Sequence, residues 1–110
     1  MEPKTKKFDL EERTFKFATG VIEICQKSKK DIITTPIINQ LIRSGMSIGA
    51  NYHEANGASS KKESKETLYW LNVISDHNSQ SKLKFLSLIK ENQEIIAIIS
   101  KIIINSKKNK

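Results

Sequence analysis

Apolar residues recur along most of this chain at steps of three and four, the period of an α-helix rather than of a strand. Leu10, Thr14, Phe17, Val21 and Ile24 form one such stripe, and Phe15, Ala18, Ile22 and Cys25 form a second beside it. Together they predict a helix over residues 9–27 with a wide apolar face. Lys27, Lys29 and Lys30 at its end suit the negative pole of the helix dipole.

The next start signal is Thr34-Thr35-Pro36, where a threonine can cap free backbone N–H groups and proline lacks the donor that would otherwise be orphaned. A helix over residues 36–55 follows, with Ile38, Leu41, Ile42, Gly45, Ile48, Gly49, Tyr52 and Ala55 on its core face and a stop at Asn56-Gly57. Ser60-Lys61-Lys62-Glu63 fits a capping box and opens a third helix, residues 61–77, whose inner face is Leu68, Leu71 and Ile74 with Trp70 and Val73 beside it. The polar stretch from Asp76 to Ser81 carries no periodicity and ends it.

The fourth helix, residues 82–104, again has a double stripe. Phe85, Ile89, Asn92, Ile96, Ile99 and Ile103 run beside Leu88, Ile95, Ile98 and Ile102. Isoleucine is a middling helix former, so burial rather than propensity must hold this helix. Asn92 interrupts the apolar seam, either as a residue that sets register or association state or as a solvated edge position.

With 110 residues the chain is a single domain with one core. Four Gly, two Pro and few aromatics favour long packed helices. Short connections join neighbours, so the expected fold is all-α: an antiparallel up-down-up-down four-helix bundle with a short third helix. A lone cysteine, Cys25, cannot form an internal disulfide and points to the reducing cytoplasm. The basic start, Met1 to Lys7, runs into charged residues and does not read as a secretory signal, and no apolar run is long enough for a membrane span.

The second helix departs from the rest of the chain. Between Pro36 and Ala55 only Arg43 and Glu54 are charged, in a chain that is 28% charged. Gln40, Ser44, Ser47, Ala50 and Asn51 make a second line of small or uncharged residues, with no ordinary solvent-facing side. A monomeric bundle wets one face of each helix, so the first expectation is that another copy covers this line; a central helix within a compact monomer is the alternative. Gln40, Arg43, Ser47, Asn51 and Glu54 are the interface candidates, with the Arg43 fork matched to a carboxylate.

The block from Asn39 to Ala55, Asn-Gln-Leu-Ile-Arg-Ser-Gly-Met-Ser-Ile-Gly-Ala-Asn-Tyr-His-Glu-Ala, resembles the signature of the four-helix-bundle family of bacterial ribosomal-RNA intervening-sequence proteins. Lys65-Glu66-Thr67-Leu68-Tyr69-Trp70-Leu71 is similar to a second block of that family. The resemblance implies an up-down bundle, a ring-like homopentamer and no catalytic residues. A related bundle, the accessory protein of diversity-generating retroelements, engages nucleic acid; that similarity is one of fold and charge. The chain departs from the family in running from Ser59-Ser60-Lys61-Lys62 almost directly into Glu66-Thr67-Leu68, where relatives carry about a dozen more residues. At ~1.5 Å per residue this removes roughly 20 Å of helix and bears on ring geometry.

A net charge of +7 and a pI near 9.6 bias the surface toward anions. Lysines cluster at Lys4, Lys6 and Lys7, at Lys27, Lys29 and Lys30, at Lys61, Lys62 and Lys65, and at Lys107, Lys108 and Lys110. The two internal clusters are the candidate contacts to RNA or DNA phosphates; ordinary solvation of lysines at helix junctions is the plain alternative. Aromatic residues are too few for a stacking platform and no helix-turn-helix or zinc finger is evident, so sequence-specific recognition is not expected. His53-Glu54 and Asp76-His77 are the only places suggestive of acid–base or metal chemistry, and neither has a ligand four residues away. The expectation is therefore a non-enzymatic, oligomeric bundle without cofactor or metal that associates with nucleic acid; the alternative is a scaffold for a protein partner. Neither involves a membrane.

Overall fold

The computed structural model describes residues 6–77 and 81–108. They form four α-helices, α1 (Lys6–Lys27), α2 (Thr34–His53), α3 (Gly57–Ser75) and α4 (Lys82–Lys108), with no strand among the described residues. Each helix packs mainly against two others: α1 on α2 and α4, and α3 on α2 and α4. Lys4 and Lys110, and residues 78–80 of the predicted break, lie outside the described residues.

Leu10, Phe17, Val21 and Ile24 of α1 meet Ile38, Leu41 and Ile48 of α2, Leu71 and Ile74 of α3, and Phe85, Ile95 and Ile99 of α4 in one buried cluster. Each such side chain contributes on the order of 1.5–3 kcal/mol on leaving water. Closest approach between α1 and α2 is set by glycine: a Cβ at Gly45 would stand 3.3 Å from Val21 Cγ1, and one at Gly49 would stand 3.0 Å from Thr14 Oγ1.

The helix boundaries differ from expectation where polar side chains act earlier than the apolar pattern does. Thr34 does not cap α2. Asp31 does the work, its Oδ1 accepting from the backbone N–H of both Ile33 and Thr34 at 2.9 Å. The helix therefore starts at Thr34, with Pro36 inside its first turn, where its missing N–H would have had no helical partner anyway. Similarly, Ser60 belongs to no capping box. Asn56 accepts from Ser59 N–H at 3.2 Å and starts α3 at Gly57, one turn before the predicted start. Gly57 does not end α2 either; Ala55 takes the left-handed conformation, φ 62°, with Ala55 N–H donating to Tyr52 O and Asn56 N–H to Asn51 O. That pair of bonds is the Schellman closure, built here on alanine.

At the end of α1, Lys30 Nζ donates to the carbonyls of Cys25, Gln26 and Ser28 at 2.9–3.2 Å, so the expected cation at the helix C-terminus is present as a direct cap. The second stripe of α1 meets a different fate from the first. Cys25 is buried, but Phe15 and Ile22 are open to solvent, because the bundle covers a narrower arc of α1 than two stripes occupy.

Beneath α2, the surface that joins it to α3 is made of hydroxyls. Ser44, Ser60, Ser64 and Thr67 are all fully buried. Ser60 Oγ donates to Ile48 O across the two helices at 2.7 Å, and Ser64 Oγ donates to Ser60 O at 2.9 Å. Part of the small-residue line on α2 that seemed to need a second copy is thus covered by the chain's own third helix: Ser44 lies under Thr67.

Candidate interface surfaces

Arg43 is the centre of the polar surface beside that seam. Its Nε donates to Gln40 Oε1 at 3.1 Å, its Nη1 to Glu63 Oε2 at 3.1 Å, and its Nη2 to Glu66 Oε2. Glu66 also accepts from the Trp70 indole at 3.1 Å. The indole N–H and then Arg43 hold the Glu66 carboxyl below its ordinary range, while the Glu66 contact raises the guanidinium further. Arg43 does meet carboxylates, but those of α3; Glu54 stands eleven residues along α2, about 16 Å away at 1.5 Å per residue. Ser47 Oγ donates to Arg43 O at 2.7 Å and Asn51 Nδ2 to Ser47 O at 2.9 Å, so both are satisfied within α2. Glu54 is exposed at the end of the helix.

Next to these residues, between α1 and α2, lies an open groove of about 400 Å³. Phe15, 73% exposed, and Ile22 form one wall, and Met46, 49% exposed, and Ala50 form the other. With Asn39 and Gln40, also exposed, they give α2 an outer face on which Arg43 is the sole charge before Glu54. Sequence reasoning missed Phe15, Ile22 and Met46 as surface residues; the signal was that two full stripes on α1 exceed what two neighbouring helices can cover. Ile32 and Ile33, in the turn before α2, are a further exposed apolar point.

The six candidate lysines do not form one patch. Lys27, Lys29 and Lys30 lie where α1 gives way to α2, and Lys30 is taken up in capping. Lys84 approaches Lys27 from α4 and its ammonium is pushed below the ordinary lysine range, first by that contact. Glu23 lines the same cleft. Lys61, Lys62 and Lys65 stand on the first half of α3, where Ser60 is level with Ile48 near the far end of α2. None of Lys61, Lys62 and Lys65 is in an ion pair among the described residues, whereas Arg13 is tied by its fork to Glu91 at 2.7 Å and to Glu94 at 2.9 Å.

Other chemistry is sparse. His53 and His77 are exposed, and His77 Nδ1 sits 3.0 Å from Val73 O. Among the described residues no three of His, Cys, Asp and Glu come together as metal ligands. Burial pushes the Cys25 thiol up to about 11, so it is not a thiolate near neutrality. No helix among the described residues is long and apolar enough to cross a membrane.

No protein-family profile matches the chain, and a search of curated proteins finds no relative. Among solved structures, it is similar to the crystal structure of a protein of unknown function from the S23 ribosomal protein family of Bacteroides thetaiotaomicron. The TM-score is 0.76 with 24% identity, covering 86% of this chain and 97% of that one. The likeness shows a shared all-helical fold.

Proposed function

We propose that this chain is a non-enzymatic, self-assembling bundle of the intervening-sequence type that holds nucleic acid without reading its sequence. The observation that carries the nucleic-acid part is that Lys61, Lys62 and Lys65 form no ion pair among the described residues, while Arg43 is the residue paired with Glu63 and Glu66. Lysine ammoniums that form no ion pair are open to phosphate, and the chain's +7 adds a long-range pull.

The up-down-up-down arrangement is supported by the order of contacts. Val21 meets Gly45 while the earlier Thr14 meets the later Gly49. Likewise Ser60 bonds Ile48 while the later Thr67 bonds Ser44. Assembly is supported by the groove of Phe15, Ile22 and Met46 beside an almost uncharged face of α2. We assign Gln40, Arg43, Ser47, Asn51 and Glu54 to the rim of that contact, in a ring whose size the short third helix bears upon. Family membership rests on the two sequence blocks, with the shared fold in support. The lone Cys25 suits a cytoplasmic setting.

Binding of mixed-sequence RNA at two salt concentrations tests the first part. A steep loss with salt is expected, and no binding at low salt would overturn it. Light scattering tests the second: an oligomer is expected, reduced in mass by Arg43→Ala with Glu54→Ala, and an unchanged mass would remove those residues from the interface. A protein-binding scaffold is the second reading, favoured by the same apolar groove, which has the form of a seat for an amphipathic helix.

A further inference from the structure

We propose that the outer face of α3 binds an unpaired nucleic-acid strand, with Tyr69 as the residue on which a base stacks and Lys62 and Lys65 as its phosphate contacts. This rests on the nucleic-acid reading above and adds the kind of strand and the aromatic residue that selects it.

Lys62, Lys65 and Tyr69 are spaced three and four apart and form one stripe, all exposed. The stripe runs along the side of α3 away from buried Ser60, Ser64 and Thr67. Tyr69 is 61% exposed, a large aromatic surface with no apolar reason to face water. Its one ring contact among the described residues is with Trp70, at a 5.0 Å centroid distance and a 75° interplanar angle. An edge contact of that kind steadies the ring without stacking on it. Trp70 is itself pinned through its indole N–H to Glu66, so the platform is held from behind.

Electrostatics favour the same stripe. Glu63 and Glu66 are the acidic residues within a turn of these lysines, and both are turned toward α2 by Arg43. Neither Lys62 nor Lys65 forms an ion pair among the described residues, although Lys62 stays near enough to Glu66 for their charges to interact. Residues four apart on a helix stand about 6 Å from Cβ to Cβ, so a base on Tyr69 leaves its flanking phosphates within reach of long lysine side chains. A duplex hides its base faces in the stack; an unpaired strand offers them.

The test uses the whole chain with a labelled oligouridylate and a blunt RNA duplex at matched salt. The oligouridylate is expected to bind more tightly than the duplex. Tyr69→Ala should weaken it about 10-fold, while Tyr69→Phe, which keeps the ring, stays within about twofold. Lys62→Ala with Lys65→Ala should lessen the salt dependence by about two phosphate contacts. All positions are exposed, and circular dichroism checks that helicity is kept. If the unaltered chain binds RNA but Tyr69→Ala binds as well as it does, or if duplex is preferred, the stacking role is overturned and the nucleic-acid reading survives. If the unaltered chain binds neither RNA, both fall.

Discussion

Thr67 Oγ1 lies 2.9 Å from Ser44 Oγ, with both residues fully buried, and the same Thr67 oxygen is 2.7 Å from Glu63 O. Two hydroxyls sealed between α2 and α3 satisfy one another, with a backbone carbonyl to take the remaining proton. Thr67→Val keeps the shape but leaves Ser44 only a long contact to Leu41 O at 3.4 Å. Urea unfolding should show a loss of about 1–3 kcal/mol. A cycle with Ser44→Ala should show coupling, because the double variant leaves fewer stranded polar groups than the sum of single losses implies.

Gly49 and Gly20 should respond oppositely to alanine. At Gly49 the new methyl meets Thr14 at 3.0 Å from Oγ1 and 3.3 Å from Cβ, and Thr14 is itself buried. Gly49→Ala should cost about 1–3 kcal/mol. At Gly20 the methyl would meet only Leu88 Cδ2, at 2.9 Å, the end of a half-buried side chain that can rotate away. Gly20→Ala should then be neutral or gain up to about 1 kcal/mol from helix propensity. Thermal unfolding of the two variants decides the matter.

Ala55 closes α2 at φ 62°, a conformation that strains any residue with a Cβ. Ala55→Gly should stabilise the chain by up to about 1 kcal/mol despite the added freedom of the unfolded state. A lower denaturation midpoint would show that the turn is less strained than its dihedral implies.

Asn92 is fully buried on α4, so its reading as a solvated edge position falls, and neither its amide nitrogen nor its oxygen has a hydrogen-bond partner. Asn92→Leu, similar in size, should raise stability by about 1–3 kcal/mol. If the residue also sets association state, the variant's mass in solution will change along with its midpoint.

The acid limb of stability should depend on Asp31. Backbone N–H groups of Thr34 and then Ile33 hold its carboxyl below the usual range. Its stabilisation is therefore present above the unfolded value, about 3.9, and is lost as pH falls through the lowered folded value. Asp31→Asn, still able to accept those bonds, should flatten the fall in stability below about pH 4. Equal steepness in the two proteins would remove Asp31 from the acid response.

How much of this was legible in the sequence follows from which atoms do the work. Apolar spacing found all four helices, because Leu10, Phe17, Val21, Ile95 and Ile99 are buried where a period of 3.6 puts them. It misjudged helix starts, since Asp31 and Asn56 act from outside the apolar pattern. It found Leu71 and Ile74 on the inner face of α3 but missed the first half of that face. There Ser60, Ser64 and Thr67 carry burial that a search for Leu or Ile does not see. Arg43 was recognised as a carboxylate partner by the shape of its fork, but its true partners depend on how α3 folds back, which no local spacing records.

The apolar groove between Phe15 and Met46 and the surplus of lysines respond to ionic strength in opposite directions. Salt screens the mutual repulsion of molecules carrying +7 each, and so would favour the proposed contact between copies through the groove. The same salt displaces lysines from phosphate. If both proposals hold, dilute electrolyte would favour a dispersed form with an anion attached, and concentrated electrolyte an associated form without one.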